Sequence, residues 1–130
     1  RKLCRFDEAL ETLQSAVEIC DETLPLAGGV FRASMAIILA HQGRFEAGTR
    51  LLVASEEKIR PYPREMGKFH CLHARFQILQ GHPGQARNTI EKAKQIAVEE
   101  DASHTGLLRQ DIHETENQLE AFLSGPEHSS

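Results

Sequence analysis

Ala36-Ile37-Ile38-Leu39-Ala40-His41-Gln42-Gly43-Arg44-Phe45-Glu46-Ala47-Gly48 aligns with a later stretch, Ala74-Arg75-Phe76-Gln77-Ile78-Leu79-Gln80-Gly81-His82-Pro83-Gly84-Gln85-Ala86. In each, a small residue is followed seven positions later by the glycine of a Gln-Gly pair, and a second small residue comes five positions after that. The register continues past the turn, where Leu52 and Ser55 fall opposite Ile90 and Ala93. A period of 38 to 39 residues is the mark of a stacked helical repeat. Its physical reading is a helical hairpin. Small side chains on both helices let their axes approach. A glycine at the turn accepts a backbone conformation that a Cβ penalises.

Outward from this core, helical periodicity persists. Phe6, Ala9, Leu10, Leu13, Ala16, Val17 and Cys20 form one apolar stripe, with Asp7 and Glu8 in the first turn. Leu24-Pro25-Leu26-Ala27-Gly28-Gly29 reads as a break. A second helix is expected from Val30 to Gln42, apolar nearly all round and therefore placed between neighbours. A third runs from Phe45 to Ile59 and stops at Arg60-Pro61-Tyr62-Pro63. The fourth covers Arg64 to Gln80, and the fifth covers Gly84 to Glu99, entered through Pro83. Asp101-Ala102-Ser103 reads as a loop and N-cap. The sixth helix, His104 to Leu123, carries the stripe Leu108, Ile112, Thr115, Leu119 and Phe122. No segment alternates as a strand does. The expected fold is all-α, an α-solenoid of antiparallel hairpins with about six helices. It comprises a half repeat at 5–22, hairpins at 30–59 and 64–99, a capping helix at 104–123, and a flexible tail at 124–130.

Composition sets the class. The chain has 130 residues, 40% hydrophobic and 26% charged, as an ordinary globular domain does. A net charge of −4 gives no electrostatic reason to expect nucleic acid or anionic lipid as a partner. No apolar run reaches the ~20 residues needed to span a bilayer, and no signal-peptide pattern is present. Three cysteines, Cys4, Cys20 and Cys71, are odd in number and far apart. They read as buried hydrophobes in a reducing cytoplasm.

The Gly43 and Gly81 turns, the small residues at 36/74 and 48/86 and the pairs 52/55 and 90/93 resemble the tetratricopeptide repeat. The resemblance covers Cys4 to Glu100. Three departures stand out. The period is longer than the usual ~34 residues. Gln77 occupies a position where the motif favours an aromatic, and Cys4 one where it favours Gly. The long period is similar to that of helical repeats in bacterial signalling ATPases and transcriptional activators.

The resemblance implies a concave groove lined by the first helix of each hairpin. Carried over by position, that groove takes Val30, Ser34, Ile37 and His41, with Ala33 and Ala40 beside them, from the second helix. From the fourth it takes Lys68, Cys71, Leu72, Arg75 and Leu79, with Ile78 beside them. An apolar groove with a cationic edge suits an amphipathic helix or extended peptide bearing an acidic flank. Carboxylate-clamping Lys and Asn are missing, since Ala33 and Ile37 hold the corresponding places. The implied function is non-catalytic: a protein-interaction module within a larger cytoplasmic protein. The alternative is an effector-sensing domain beside a catalytic or DNA-binding domain. The first segment has the register of a second helix without its first, so the parent chain is expected to continue upstream, with an uncapped N-terminal end open to a second copy.

His70-Cys71-Leu72-His73 places two imidazoles three residues apart. No carboxylate or further histidine stands at a matching offset, so neither a metal nor a cofactor is expected. Lys58, Arg60, Arg64 and Lys68 cluster, but Glu56, Glu57 and Glu65 dilute them. No phosphate-cradling glycine motif or nucleophile signature occurs.

Overall fold

The computed structural model describes residues 2–100 and 106–125. Among these residues six α-helices follow one another: α1 Lys2–Thr23, α2 Pro25–His41, α3 Phe45–Ile59, α4 Pro63–Gln80, α5 Pro83–Glu100 and α6 Gly106–Leu123. No strand occurs among the described residues, so the chain is all-α as its periodicity predicts. It divides into two compact units, Arg1–Pro61 and Tyr62–Ser130. The expected Asp101-Ala102-Ser103 loop and cap, the start at His104 and residues 126–130 of the tail expected at 124–130 lie outside the described residues.

In the first unit α2 packs on both α1 and α3. The helix begins at Pro25, five residues before the expected start at Val30. Leu24 alone separates α1 from α2, at φ −140° and ψ 80°. Proline excludes helical backbone from the residue before it, and its own fixed φ suits a first helical turn. Pro25 therefore starts a helix here. Gly28 and Gly29 lie within α2, where their missing side chains make room for neighbours. A Cβ on Gly29 would lie 3.0 Å from both Ile59 Cγ1 and Lys58 Cβ and 3.2 Å from the Ser55 carbonyl oxygen. The buried Ser55 hydroxyl donates to the Gly29 carbonyl at 2.7 Å, so α2 and α3 meet almost backbone to backbone.

Gly28 makes room for a charge. A Cβ there would stand 2.6 Å from Asp21 Oδ1. Asp21, on α1, accepts from both terminal nitrogens of Arg32 on α2, at 2.8 and 2.6 Å. Lys58 Nζ of α3 lies 3.8 Å from the same carboxylate. One acidic side chain thus ties all three helices, and the Arg32 guanidinium holds its carboxyl below the ordinary range.

In the second unit α4 and α5 form a hairpin, and α6 packs against both. Its core joins Cys71, Ala74 and Ile78 of α4, Ala86, Ile90, Ala93 and Ala97 of α5, and Leu108, Ile112 and Leu119 of α6. Gly67 stands 38 residues after Gly29 and plays a similar part. A Cβ on it would meet Leu108 at 2.8 Å and Ile96 at 3.3 Å.

The two turns are alike in detail. Gly43 and Gly81 have φ of +78° and +84°, and no other described residue has positive φ. In the first, Gly43 N donates to Ala40 O at 3.0 Å and Arg44 N to Leu39 O at 2.8 Å. In the second, Gly81 N donates to Ile78 O and His82 N to Gln77 O, both at 2.9 Å. This pair of bonds satisfies the last helical carbonyls and needs a left-handed residue. Ala36, Ala74 and Ala86 are fully buried, and Gly48 is buried with them.

No atom lies within 4 Å of a Cβ built on Gly43 or Gly81, so their requirement is conformational and not steric. Alanine at either is expected to cost roughly 1–2 kcal/mol in chemical denaturation. Gly84 also has open space, but its φ is not positive. Gly84→Ala is expected to be neutral or stabilising by up to about 1 kcal/mol. Equal effects at all three sites would contradict this account of the turns.

Candidate functional site

The nine residues expected to line a groove fall into two groups. On α2, Val30, Ser34, Ile37 and His41 form one stripe at helical spacing. Val30 and His41 are exposed, while Ser34 and Ile37 are half-buried. Ala33 and Ala40 beside them are buried. His41 stacks on Phe6 of α1, ring centroids 6.2 Å apart and planes 11° apart. The stripe reaches the surface but is anchored by α1 at one end.

On α4 the outcome is different. Lys68 is exposed, and Leu72, Arg75 and Leu79 are half-buried, but Cys71 is 0% exposed. The cause is α6. Its stripe of Leu108, Ile112, Thr115 and Leu119 is buried against α4 and α5, covering one side of the surface expected to hold a partner. Burial pushes the Cys71 thiol up to about 12, and the nearby Asp111 carboxylate adds to the rise. Thr115 and Arg75 oppose it but do not prevail. Arg75 Nη2 donates to Asp111 Oδ1 at 2.5 Å and lies 3.9 Å from Glu114. Cys71 is therefore a core residue. Arg75, read from the sequence as a cationic edge for a partner, already has an internal one.

On the other flank of α6, Lys94 of α5 stands 2.5 Å from Glu116 and 3.4 Å from Glu91. The Glu116 carboxylate holds this ammonium above its ordinary range. Acids of the sixth helix thus tie it to α4 through Asp111 and to α5 through Glu116.

Gln77 is buried in α4. Its side-chain oxygen accepts from the Thr89 hydroxyl of α5 at 2.6 Å. This polar pair stands where the repeat motif would place an aromatic, and it crosses the α4–α5 interface with its bond satisfied. His70 and His73 both lie against the Phe69 ring, with centroids 5.9 and 5.8 Å apart. Among the described residues no three His, Cys, Asp or Glu side chains converge as a metal site requires.

A feature that the sequence reading missed is the cleft between α5 and α6. Its volume is about 380 Å³, and it is lined by Lys94, Ala97, Val98, Arg109, Ile112, His113 and Glu116. Val98 is 71% exposed there. The available signal was the spacing of Lys94 to Val98 and of Arg109 to His113, each one helical turn. It became visible only once the facing of α5 and α6 was known.

Apolar burial, not the ion pairs, is expected to hold α6. Ile112→Ala should cost roughly 2–5 kcal/mol in denaturant titration. Arg75→Met should cost about 1 kcal/mol or less. The reverse order would make charge the dominant attachment. Peptide mapping after alkylation of the native protein should find Cys20 modified and Cys71 protected until denaturant is added; equal rates would contradict the burial of Cys71. No helix among the described residues is long and apolar enough to cross a membrane. No protein-family model, no curated protein and no solved structure matches the chain.

Proposed function

We propose that this chain is a non-catalytic protein-interaction module of tetratricopeptide type, with its hairpins stacking as an α-solenoid within a larger regulatory protein of the bacterial cytoplasm. The observation that carries this reading is the α2 stripe. Val30 keeps 39% of its surface exposed, His41 is exposed, and the half-buried Ser34 and Ile37 lie between them. These positions are the ones where the resembled repeat receives its partner. The two identical glycine turns support the repeat itself. On α4 the partner-facing set reduces to Lys68, Leu72 and Leu79, because Cys71 is buried and Arg75 is engaged by Asp111. The mechanism is equilibrium binding, in which apolar burial supplies affinity and charge sets register.

A peptide-display selection on the whole chain tests the reading. Peptides should be captured whose binding falls at least tenfold in Val30→Asp or His41→Asp, with the melting temperature of each variant within a few degrees of the parent. Both sites are exposed, and the melting temperature of His41→Asp reports what the loss of its stack on Phe6 costs the fold. Capture unaffected by either variant would remove the α2 stripe from the function.

A further inference from the structure

The joint between α1 and α2 is a single residue, Leu24, and that residue is 62% exposed. Helical hydrogen bonds reach it from both sides. Leu24 N donates to Cys20 O at 2.6 Å, and Leu24 O accepts from Gly28 N at 3.1 Å. What interrupts the helix is Pro25, which lacks an N–H and keeps the residue before it out of helical backbone. Two conformations therefore differ at one position: the closed hairpin, and a rod in which α2 continues α1. Few contacts hold the hairpin closed. Among the described α1 side chains Val17 alone is buried. Phe6 stacks on His41 near one end of the pair. Near the other end Asp21 accepts from Arg32 at 2.8 and 2.6 Å, with Lys58 of α3 3.8 Å away. These pairs run in opposite senses along the two helices, so α1 and α2 are antiparallel. Their lengths, 22 and 17 residues, are similar. Two rods laid antiparallel thus bring each α1 against the other copy's α2 with the same pairs remade.

From this joint and these pairs we infer that α1 is exchangeable: it docks on α2 and α3 of a second copy, and the two copies form a reciprocal dimer. The occupant is another copy of this chain because the site is already fitted to α1. Gly28 leaves room for the Asp21 carboxylate, and Arg32 and Lys58 stand around it. Only the joint changes, so the dimer is drawn by concentration and needs no new surface. A hinge this short favours exchange over folding back. The inference goes beyond the interaction-module reading and does not depend on it.

The mass of the chain in solution, measured by light scattering after size exclusion, tests the joint. The parent's dimer fraction should rise between about 10 and about 500 μM. Leu24→Ala/Pro25→Ala restores the missing donor and favours the rod, and should tighten the dimer at least tenfold. A Gly-Ser-Gly insertion between Leu24 and Pro25 lets α1 fold back freely and should weaken it at least tenfold. A parent that is monomeric at every concentration overturns the inference. So does an alanine variant that stays monomeric, or a dimer that the insertion leaves unchanged. Charge reversal identifies the contact. Asp21→Arg and Arg32→Asp each set like charges face to face, within one chain or between identical copies. Mixed one to one, the two variants match both contacts only by exchange. The arginine introduced at position 21 of one copy faces the aspartate introduced at position 32 of the other, and the second contact keeps Asp21 on Arg32. The mixture should form a heterodimer at least tenfold tighter than either variant alone. No gain on mixing, when both substitutions in one chain restore its melting temperature, overturns the inference. Where they do not restore it, the joint variants decide. Circular dichroism of each variant confirms the fold, and should the alanine variant unfold, the insertion and the mixing decide.

Discussion

Close approach of paired helices at positions almost without side chains is the constraint on which this structure depends. Gly29 of α2 lies so near α3 that a single methyl group would crowd Ile59, Lys58 and the Ser55 carbonyl. Ser55 uses that proximity to bond the Gly29 backbone. In the second unit Gly67, Ala74, Ala86 and Ala93 keep α4 close to its neighbours. Helices packed this closely exclude water from the larger residues around them, and that exclusion supplies the free energy. Leu52 and Ile90, at equivalent places in the two hairpins, are both buried. The left-handed glycines at 43 and 81 turn the chain sharply enough to bring the small residues opposite one another.

Charge has a subordinate role and is placed at edges. Asp21 joins three helices beside Gly28, while Asp111 and Glu116 flank the apolar stripe of α6. Half-exposed pairs of this kind add little net stability, but each opposes a rotated or shifted helix. The buried Gln77–Thr89 bond serves the same purpose inside the α4–α5 hairpin. A one-turn slip would leave the Gln77 amide dry and without Thr89, at a cost of about 1–3 kcal/mol, while the Thr89 hydroxyl keeps the Gln85 carbonyl 3.0 Å away. The apolar stripes hold the helices, and the polar pairs specify their register.

The sequence was most legible where periodicity is long and punctuation unambiguous. The two Gln-Gly turns, the paired small residues and the α6 stripe all stand where the pattern placed them. The start of α2 was misread because proline and paired glycine have two meanings. Pro25 can end a helix or open one, and Gly28-Gly29 can loosen a chain or admit a neighbour. Local sequence does not separate these meanings, which depend on Asp21 and Ile59 lying across the contact. Cys71 and Arg75 read as partner-facing because position within the resembled repeat says nothing about what α6 will cover. Once α6 packs on α4, Asp111 claims Arg75 and the thiol becomes core. The α5–α6 cleft was invisible for a similar reason. It belongs to two helices whose facing surfaces no periodicity within either one reveals.

Backbone conformation measured in solution by NMR tests the central claim most directly. The backbone of 36–55 should superimpose on that of 74–93, with Gly43 and Gly81 both left-handed near φ +80° and Ala36 and Ala74 buried at the helix contacts. A structure in which the two segments fold differently, or in which either glycine has negative φ, would contradict it.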